Sequence, residues 1–452
     1  MRKIYLLLTL ILIVGAFAGQ EVFQLDDEPA LFRELVPESL ITYPPVRMWT
    51  LDNGLPVLFW ENHTAPVVSS RITVKTGSMF EDKYLGTGIS HNLEHIVSGG
   101  TTSRMTETEY KELLSSIGAY SNAYTNRTVT CYYINGPSEH FATELHCLAD
   151  WVKDCVFDSV ELAREKGVIT QEIYKGKEEP HRVIAQLFSE TVFKVHTARF
   201  PTIGYVENFL EITRDDLIDY YNDHYTPDNC ILAIAGDLTL EEAQNYVDSF
   251  FGDWERQPHT PHTLPEEPAQ LTARYSEVAI AVQTCNMRIG WRGAPRGHKD
   301  SWALDILPDI LTDGKTSRLY KRLVTEEQLC GSVSAYHYNP HEQSPLFTIN
   351  INDFDYQDRD RILEILWEEI EKIKDKGIKP RELERQKRLL VKALMFENET
   401  VENQTLYMTY TYINYGRPYA IDFLVPFYMD ATVDDIQRVT RDYILPNTMS
   451  IA

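Results

Sequence analysis

The chain has 452 residues, of which 43% are hydrophobic, and a formal net charge of −24. Length and composition fit two ordinary globular domains and exclude a disordered or fibrous chain. The acidic balance excludes nucleic acid as a natural partner; it suits basic peptides or simple solubility.

At the N-terminus, Arg2-Lys3, the apolar run from Ile4 to Val14 and the close Ala16-Phe17-Ala18 read as a secretory signal peptide over 1–18. This predicts an exported protein, periplasmic or extracellular, with no membrane attachment after cleavage. Residues 19–44 read as an N-terminal extension, and no later run is long and apolar enough to span a bilayer. The six cysteines are too few for a disulfide framework and read mainly as buried thiols.

The first chemistry-bearing segment is His91-Asn92-Leu93-Glu94-His95. Thr87 reads as the N-cap of a helix that stops at Ser98-Gly99-Gly100. At ~100° per residue, His91, Glu94 and His95 share one face, and Ile89, Leu93 and Ile96 the opposite one. Imidazoles one turn apart can aim at a single tetrahedral ion, and zinc needs one more protein ligand if water is to hold the fourth position. An isolated pair at this spacing would read as ordinary surface or core. Glu94 between the histidines changes that, because HxxEH is the inverted form of the HExxH zinc motif.

Gly118 to Thr125 and Val129 to Ile134 read as two strands joined by a polar turn. An exposed edge strand of this kind can bind an extended peptide by adding it to the sheet. Asp158-Ser159-Val160-Glu161 then resembles a capping box, opening a helix that runs to Tyr174. Glu165 and Glu172 fall two turns apart on one face of it; one carboxylate can bind the metal while the other orients a ligand.

Farther on, Thr213-Arg214-Asp215-Asp216-Leu217 leads through a helix to the strand Cys230 to Ala235 and Gly236-Asp237. The same order recurs at Thr432-Val433-Asp434-Asp435-Ile436, Leu445-Pro446-Asn447 and Met449 to Ala452. A repeat this long predicts two similar domains rather than a solenoid. The expected division is 45–256 for the metal-bearing domain, 257–269 for a linker and 270–452 for a second domain without the metal site. Its end, matched to Ala233, reads as truncated inside a strand. His259 and His262 in the linker are expected to be solvent-exposed.

The segments together resemble the pitrilysin/insulinase family of zinc metallopeptidases, the inverzincins, which include mitochondrial processing peptidases. The resemblance rests on Gly77-Ser78, Thr87 to His91, the HxxEH motif, and Glu165 with Glu172, and it runs from about Tyr43 onward. It implies an α+β fold of two homologous domains, each an antiparallel sheet packed with helices. It implies His91, His95 and Glu172 as ligands of one zinc ion per chain, Glu94 as general base and Glu165 as supporting carboxylate. Asn122 and Ala123, within an Asn-Ala-aromatic-Thr segment, would bind the peptide substrate. It also implies a complementary half carrying an Arg and a Tyr for substrate carbonyl binding, since Val324 and Gly331 stand at those positions here. That half would follow in the same polypeptide or come as a separate subunit.

The resulting expectation is an exported zinc endopeptidase acting on peptides or unfolded segments, without a covalent intermediate. The alternative is a catalytically silent scaffold or peptide-binding subunit of the same fold.

Overall fold

The computed structural model describes residues 46–256, 262–340, 342–396 and 398–452. The predicted signal peptide and N-terminal extension fall outside these residues, as do His259 and the start of the predicted linker.

The first half runs β1 (Val46–Thr50), β2 (Pro56–Glu61), β3 (Val67–Val74), α1 (Ile89–Val97), α2 (Glu107–Ser116), β4 (Tyr120–Thr125), β5 (Thr130–Pro137), α3 (Phe141–Lys153), α4 (Ser159–Glu178), α5 (Pro180–Val192), α6 (Val206–Leu210), α7 (Arg214–His224), β6 (Cys230–Gly236) and α8 (Leu240–Phe251). The second runs β7 (Arg274–Tyr275), β8 (Cys285–Arg292), α9 (Lys299–Thr312), β9 (Cys330–Tyr338), β10 (Leu346–Phe354), α10 (Arg359–Lys376), α11 (Pro380–Phe396), α12 (Val401–Tyr415), α13 (Ile421–Asp430), α14 (Val433–Tyr443) and β11 (Ser450–Ile451).

These form two sheets, ordered β1-β2-β6-β3-β5-β4 and β7-β11-β8-β10-β9. The α+β, two-domain expectation holds, with one refinement. Each sheet is antiparallel except where β2 meets β6 and β7 meets β11, which run parallel. The two parallel pairs occupy equivalent places, so β6 corresponds to β11 and β3 to β8. Ser450 and Ile451 thus lie between β7 and β8, and Ala452 exchanges backbone hydrogen bonds of 3.0 Å with Arg288.

Burial explains the sequence of the central strand. Cys230–Gly236 is buried on both faces, which is why it reads as an unbroken apolar run rather than an alternating one. One face packs against the first half's own helices through Leu232 and Ile234. The other carries Ile231, Ala233 and Ala235 against Met408 of α12, a helix from the second half. Polar contacts tie the same junction, with Ser69 Oγ 3.1 Å from Thr405 Oγ1. Elsewhere between the halves, the buried Glu267 carboxylate accepts the backbone N–H groups of Lys194, Val195 and His196 at 2.8–2.9 Å.

The repeated helix starts are capping boxes in both halves. Thr213 caps α7 with Asp216 reciprocating, and Thr432 caps α14 with Asp435. All six cysteines are unpaired thiols. His262 departs from its expected exposure: its side chain is 8% exposed, with Nδ1 2.9 Å from Asp82 and Nε2 3.0 Å from His224. Aromatic packing against His224 and Phe80 draws it inward, a contact that the Pro-rich linker sequence does not announce.

Candidate metal centre and its cavity

The helix carrying HxxEH begins one residue later than expected. Gly88, at φ 72°, is its N-cap, and Thr87 instead donates its hydroxyl to the Tyr84 carbonyl. Only a residue free of Cβ crowding suits this left-handed turn, and a Cβ there would also sit 2.3 Å from the Ile203 carbonyl oxygen. Ser98 closes the helix, followed by Gly99 at φ 70°. Ile89 and Leu93 are fully buried and Ile96 nearly so, while His91, Glu94 and His95 stay partly open.

The second helix supplies the carboxylates. Asp158 caps α4 by accepting the Val160 and Glu161 N–H groups. The reciprocal half of the expected capping box is absent. Glu161 turns away to bind Thr101, accepting its N–H at 3.1 Å and its hydroxyl at 2.5 Å, and so joins α4 to the loop after α1.

Ligand atoms of His91, His95 and Glu172 lie within 4.8 Å of one another. Glu172 Oε2 stands 3.8 Å from His91 Nε2 and 3.9 Å from His95 Nε2. Donor atoms at about 2.0–2.1 Å from a tetrahedral zinc would be separated by about 3.3 Å. Shifts of roughly half an ångström, well within side-chain reach, would close the set around an ion. Two neutral imidazoles and one carboxylate are also zinc's preferred chemistry, so the residues fit the metal.

Protonation follows the same logic. His95 Nδ1 is 3.0 Å from Glu165 Oε2, which fixes the Nδ1–H tautomer and leaves the Nε2 lone pair toward Glu172. Glu165 is held in turn by Arg164 at 3.0 Å. Burial, with smaller contributions from His95 and Arg182, pushes His91 down to about 3, so its ring is neutral at physiological pH. Its Nδ1 is buried with no hydrogen-bond partner among the described residues, so the two rings are supported unequally. Burial is also the main force raising Glu94 above its ordinary range. Glu172 adds to the rise, and the Thr125 hydrogen bond and His95 oppose it.

Asn122 and Ala123 lie on β4, the edge of the first sheet beside α1. The Ala123 N–H donates to Asn122 Oδ1 at 2.9 Å, a bond that an incoming strand could replace. Val324 lies in a π-helical segment, Tyr320–Glu326, packed against the second core. Gly331 is exposed on β9, where a Cβ would come 3.0 Å from that of Asp353. A tyrosine there would require Asp353 to move.

A feature not legible in the motifs is a cavity of about 740 Å³ between the halves. His91, Thr125 and Glu172 line one side and Tyr336, Tyr338 and Thr348 of the second sheet the other. Arg182 is at its wall, 3.4 Å from Glu172 Oε1. Its nearness to Glu172 required α4 to stop at Glu178 and α5 to restart at Pro180, a break that Pro180 itself signals.

Residues 57–204 match the family described as Insulinase (Peptidase family M16), and 211–390 match the Peptidase M16 inactive domain. The chain is 29% identical over 360 residues to the uncharacterized zinc protease YmxG of Bacillus subtilis, covering 79% of this chain and 86% of that one. It is 30% identical over 276 residues to a probable mitochondrial-processing peptidase subunit beta of Arabidopsis thaliana, covering 60% and 51%. In fold it is similar to a protease from Helicobacter pylori, with a TM-score of 0.82 at 22% identity, covering 90% of this chain and 99% of that one.

Proposed function

The chain belongs to the M16 family of metallopeptidases, and from that premise we propose that it is an exported zinc-dependent endopeptidase whose site is His91, His95, Glu172 and Glu94. The observation that carries this reading is the convergence of two imidazoles and a carboxylate within 4.8 Å at the wall of a cavity large enough for a peptide segment.

Bound by His91, His95 and Glu172, zinc would acidify a water molecule and polarise the scissile carbonyl. Glu94, whose pKa burial raises, accepts the proton of the attacking water and returns it to the leaving amine. Glu165 holds the His95 ring through Nδ1 and keeps it in the ligating tautomer. The substrate lies as an added strand along β4, where Asn122 releases the Ala123 N–H to the peptide. Peptides and unfolded segments suit this geometry, because folded proteins offer no free strand.

A complementary half bearing the Arg and Tyr completes the chamber, since Val324 and Gly331 cannot supply those groups. The signal-like Arg2 to Ala18 segment supports export, and among the described residues no helix is long and apolar enough to cross a membrane.

The test compares residues 19–452 with the Glu94→Gln variant, measuring zinc per chain and cleavage of an unfolded-peptide library, with and without a candidate complementary half. One zinc in both proteins and cleavage only with Glu94 present is the expected result. Zinc without cleavage under every pairing would favour the silent-subunit reading, and no zinc would remove the metal site.

A further inference from the structure

The cavity beside the metal centre holds two guanidinium groups that lack the carboxylate partner found at many of the chain's other arginines. Arg104, Arg318, Arg322, Arg361 and Arg438 each engage a carboxylate. Arg127 and Arg288 line the cavity, and among the described residues neither has a carboxylate within ion-pair distance. Arg127 donates to Ser189 Oγ at 2.7 Å, and Arg288 to Asn350 Oδ1 at 2.7 Å. Burial depresses the Arg127 guanidinium most, the nearby Arg288 adds to that, and Tyr338 and Tyr336 oppose it. Of the two acidic groups of the wall, Glu172 is paired with Arg182, and Glu190 accepts hydrogen bonds from the neutral Tyr205 and Gln186 side chains.

Arg127 is also rigidly presented. Ser78 and Met79 donate their N–H groups to the Asn126 and Arg127 carbonyls at 3.2 and 3.0 Å. Gly77 permits that approach, since a Cβ there would lie 2.3 Å from the Asn126 oxygen. Two cations without a direct carboxylate partner among the described residues, on the wall of a partly desolvated cavity in a chain of net charge −24, are a local feature that favours an anion.

Resting on the peptidase reading, we propose that Arg127 and Arg288, with the Tyr336 and Tyr338 hydroxyls, form a subsite that binds a carboxylate of the peptide substrate. The carboxylate belongs either to an acidic side chain or to the peptide's C-terminus. The overall charge points toward basic peptides; the cavity selects the opposite sign where the chain meets the reacting bond.

The experiment uses the zinc-loaded full chain carrying Glu94→Gln, so that binding is read without turnover. Fluorescence anisotropy follows three versions of one labelled peptide: blocked at both ends without acidic residues, with a free C-terminal carboxylate, and with one internal Asp. At least one carboxylate version should bind about tenfold tighter than the blocked peptide, the scale of one charge-assisted hydrogen-bonded pair. That ratio should fall to near one on adding Arg127→Gln and be partly kept with Arg127→Lys. A gain confined to the free C-terminus assigns the terminal carboxylate, and one confined to Asp assigns the side chain.

Equal binding of all three versions overturns the subsite. So does an unchanged ratio in a folded Arg127→Gln protein; if that variant does not fold, an unchanged ratio in Arg288→Gln overturns it instead. Cleavage is assayed in parallel with Glu94 intact. A carboxylate preference in binding without cleavage of any version would sink the peptidase reading while leaving the subsite standing.

Discussion

Helices α1 and α9 occupy the same place in the two halves, each following the strand equivalent to β3 or β8, yet they are built for different surroundings. In α1 the stripe of Ile89, Leu93 and Ile96 is buried while His91, Glu94 and His95 stay partly open and His91 lines the cavity. In α9 nearly every position is buried, including Trp302, Leu304, Leu307 and Ile310, because β9, α11 and α14 enclose it. Its Asp305 is consumed internally, 2.6 Å from His337 Nδ1 and accepting the Tyr428 hydroxyl at 3.0 Å. A helix can offer three polar groups to an ion only where the fold leaves one side uncovered; where packing closes that side, apolar residues take the positions.

The contrast is broken most completely at the ligands. Glu172→Gln or His95→Ala should abolish stoichiometric zinc and with it hydrolysis, whereas Asp305→Asn should leave zinc per chain unchanged; metal analysis of the purified variants decides. Glu94→Gln should keep the zinc and lower kcat/KM by about 10²–10⁴-fold.

Packing defects should separate the halves next. Leu93→Ala and Leu307→Ala each remove a fully buried side chain and should cost about 2–5 kcal/mol in denaturant unfolding. Only Leu93→Ala should also weaken zinc, because it loosens the helix that holds both histidines. Equal zinc affinity in the two variants would show that α1 does not need its apolar stripe to position the ligands.

Removing the support of one ring is a gentler change. Glu165→Gln should weaken zinc by about 10–100-fold in a chelator competition, through loss of the charged partner of His95 Nδ1.

A pH difference should follow. Glu144 is fully buried on α3, with neither carboxyl oxygen hydrogen-bonded, and burial pushes it up to about 8. Asp309 on α9 reaches about 6, through burial first and then Asp313 and Asp305. Each raised group keeps its proton in the native state up to its folded value, so the stability it contributes is full below the ordinary carboxylate range and is lost as pH rises to that folded value. Hydrogen exchange should therefore show the second half's contribution falling from the ordinary carboxylate range and gone by about pH 6, and the first half's falling over a wider span and gone by about pH 8. Glu144→Gln should flatten the first half's response, and an unaltered profile would contradict the assignment.

The smallest effects should be alike in both halves. Thr213→Ala and Thr432→Ala each remove a cap with the same reciprocal Asp and should each cost about 1 kcal/mol. A large disparity in melting would mean that the repeated starts are not equivalent.

Features that depend on local spacing were already legible in the amino-acid order. The HxxEH face, the two glutamates two turns apart on α4, the hairpin β4–β5 and the repeated Thr-x-x-Asp helix starts are all set by 3.6-residue and two-residue periodicity and by cap chemistry. Those rules act within a few residues and need no partner. Other features came only from the packing of distant segments. It chose Gly88 over Thr87 as the cap because the 203–204 turn presses on that position. It turned Glu161 toward Thr101, drew His262 inward against His224, and set Arg182 against Glu172. It also enclosed Arg127 and Arg288 in a cationic cavity within an acidic chain. Most of these join groups tens to hundreds of residues apart, and no local period or net composition carries the sign of a field that only their convergence creates.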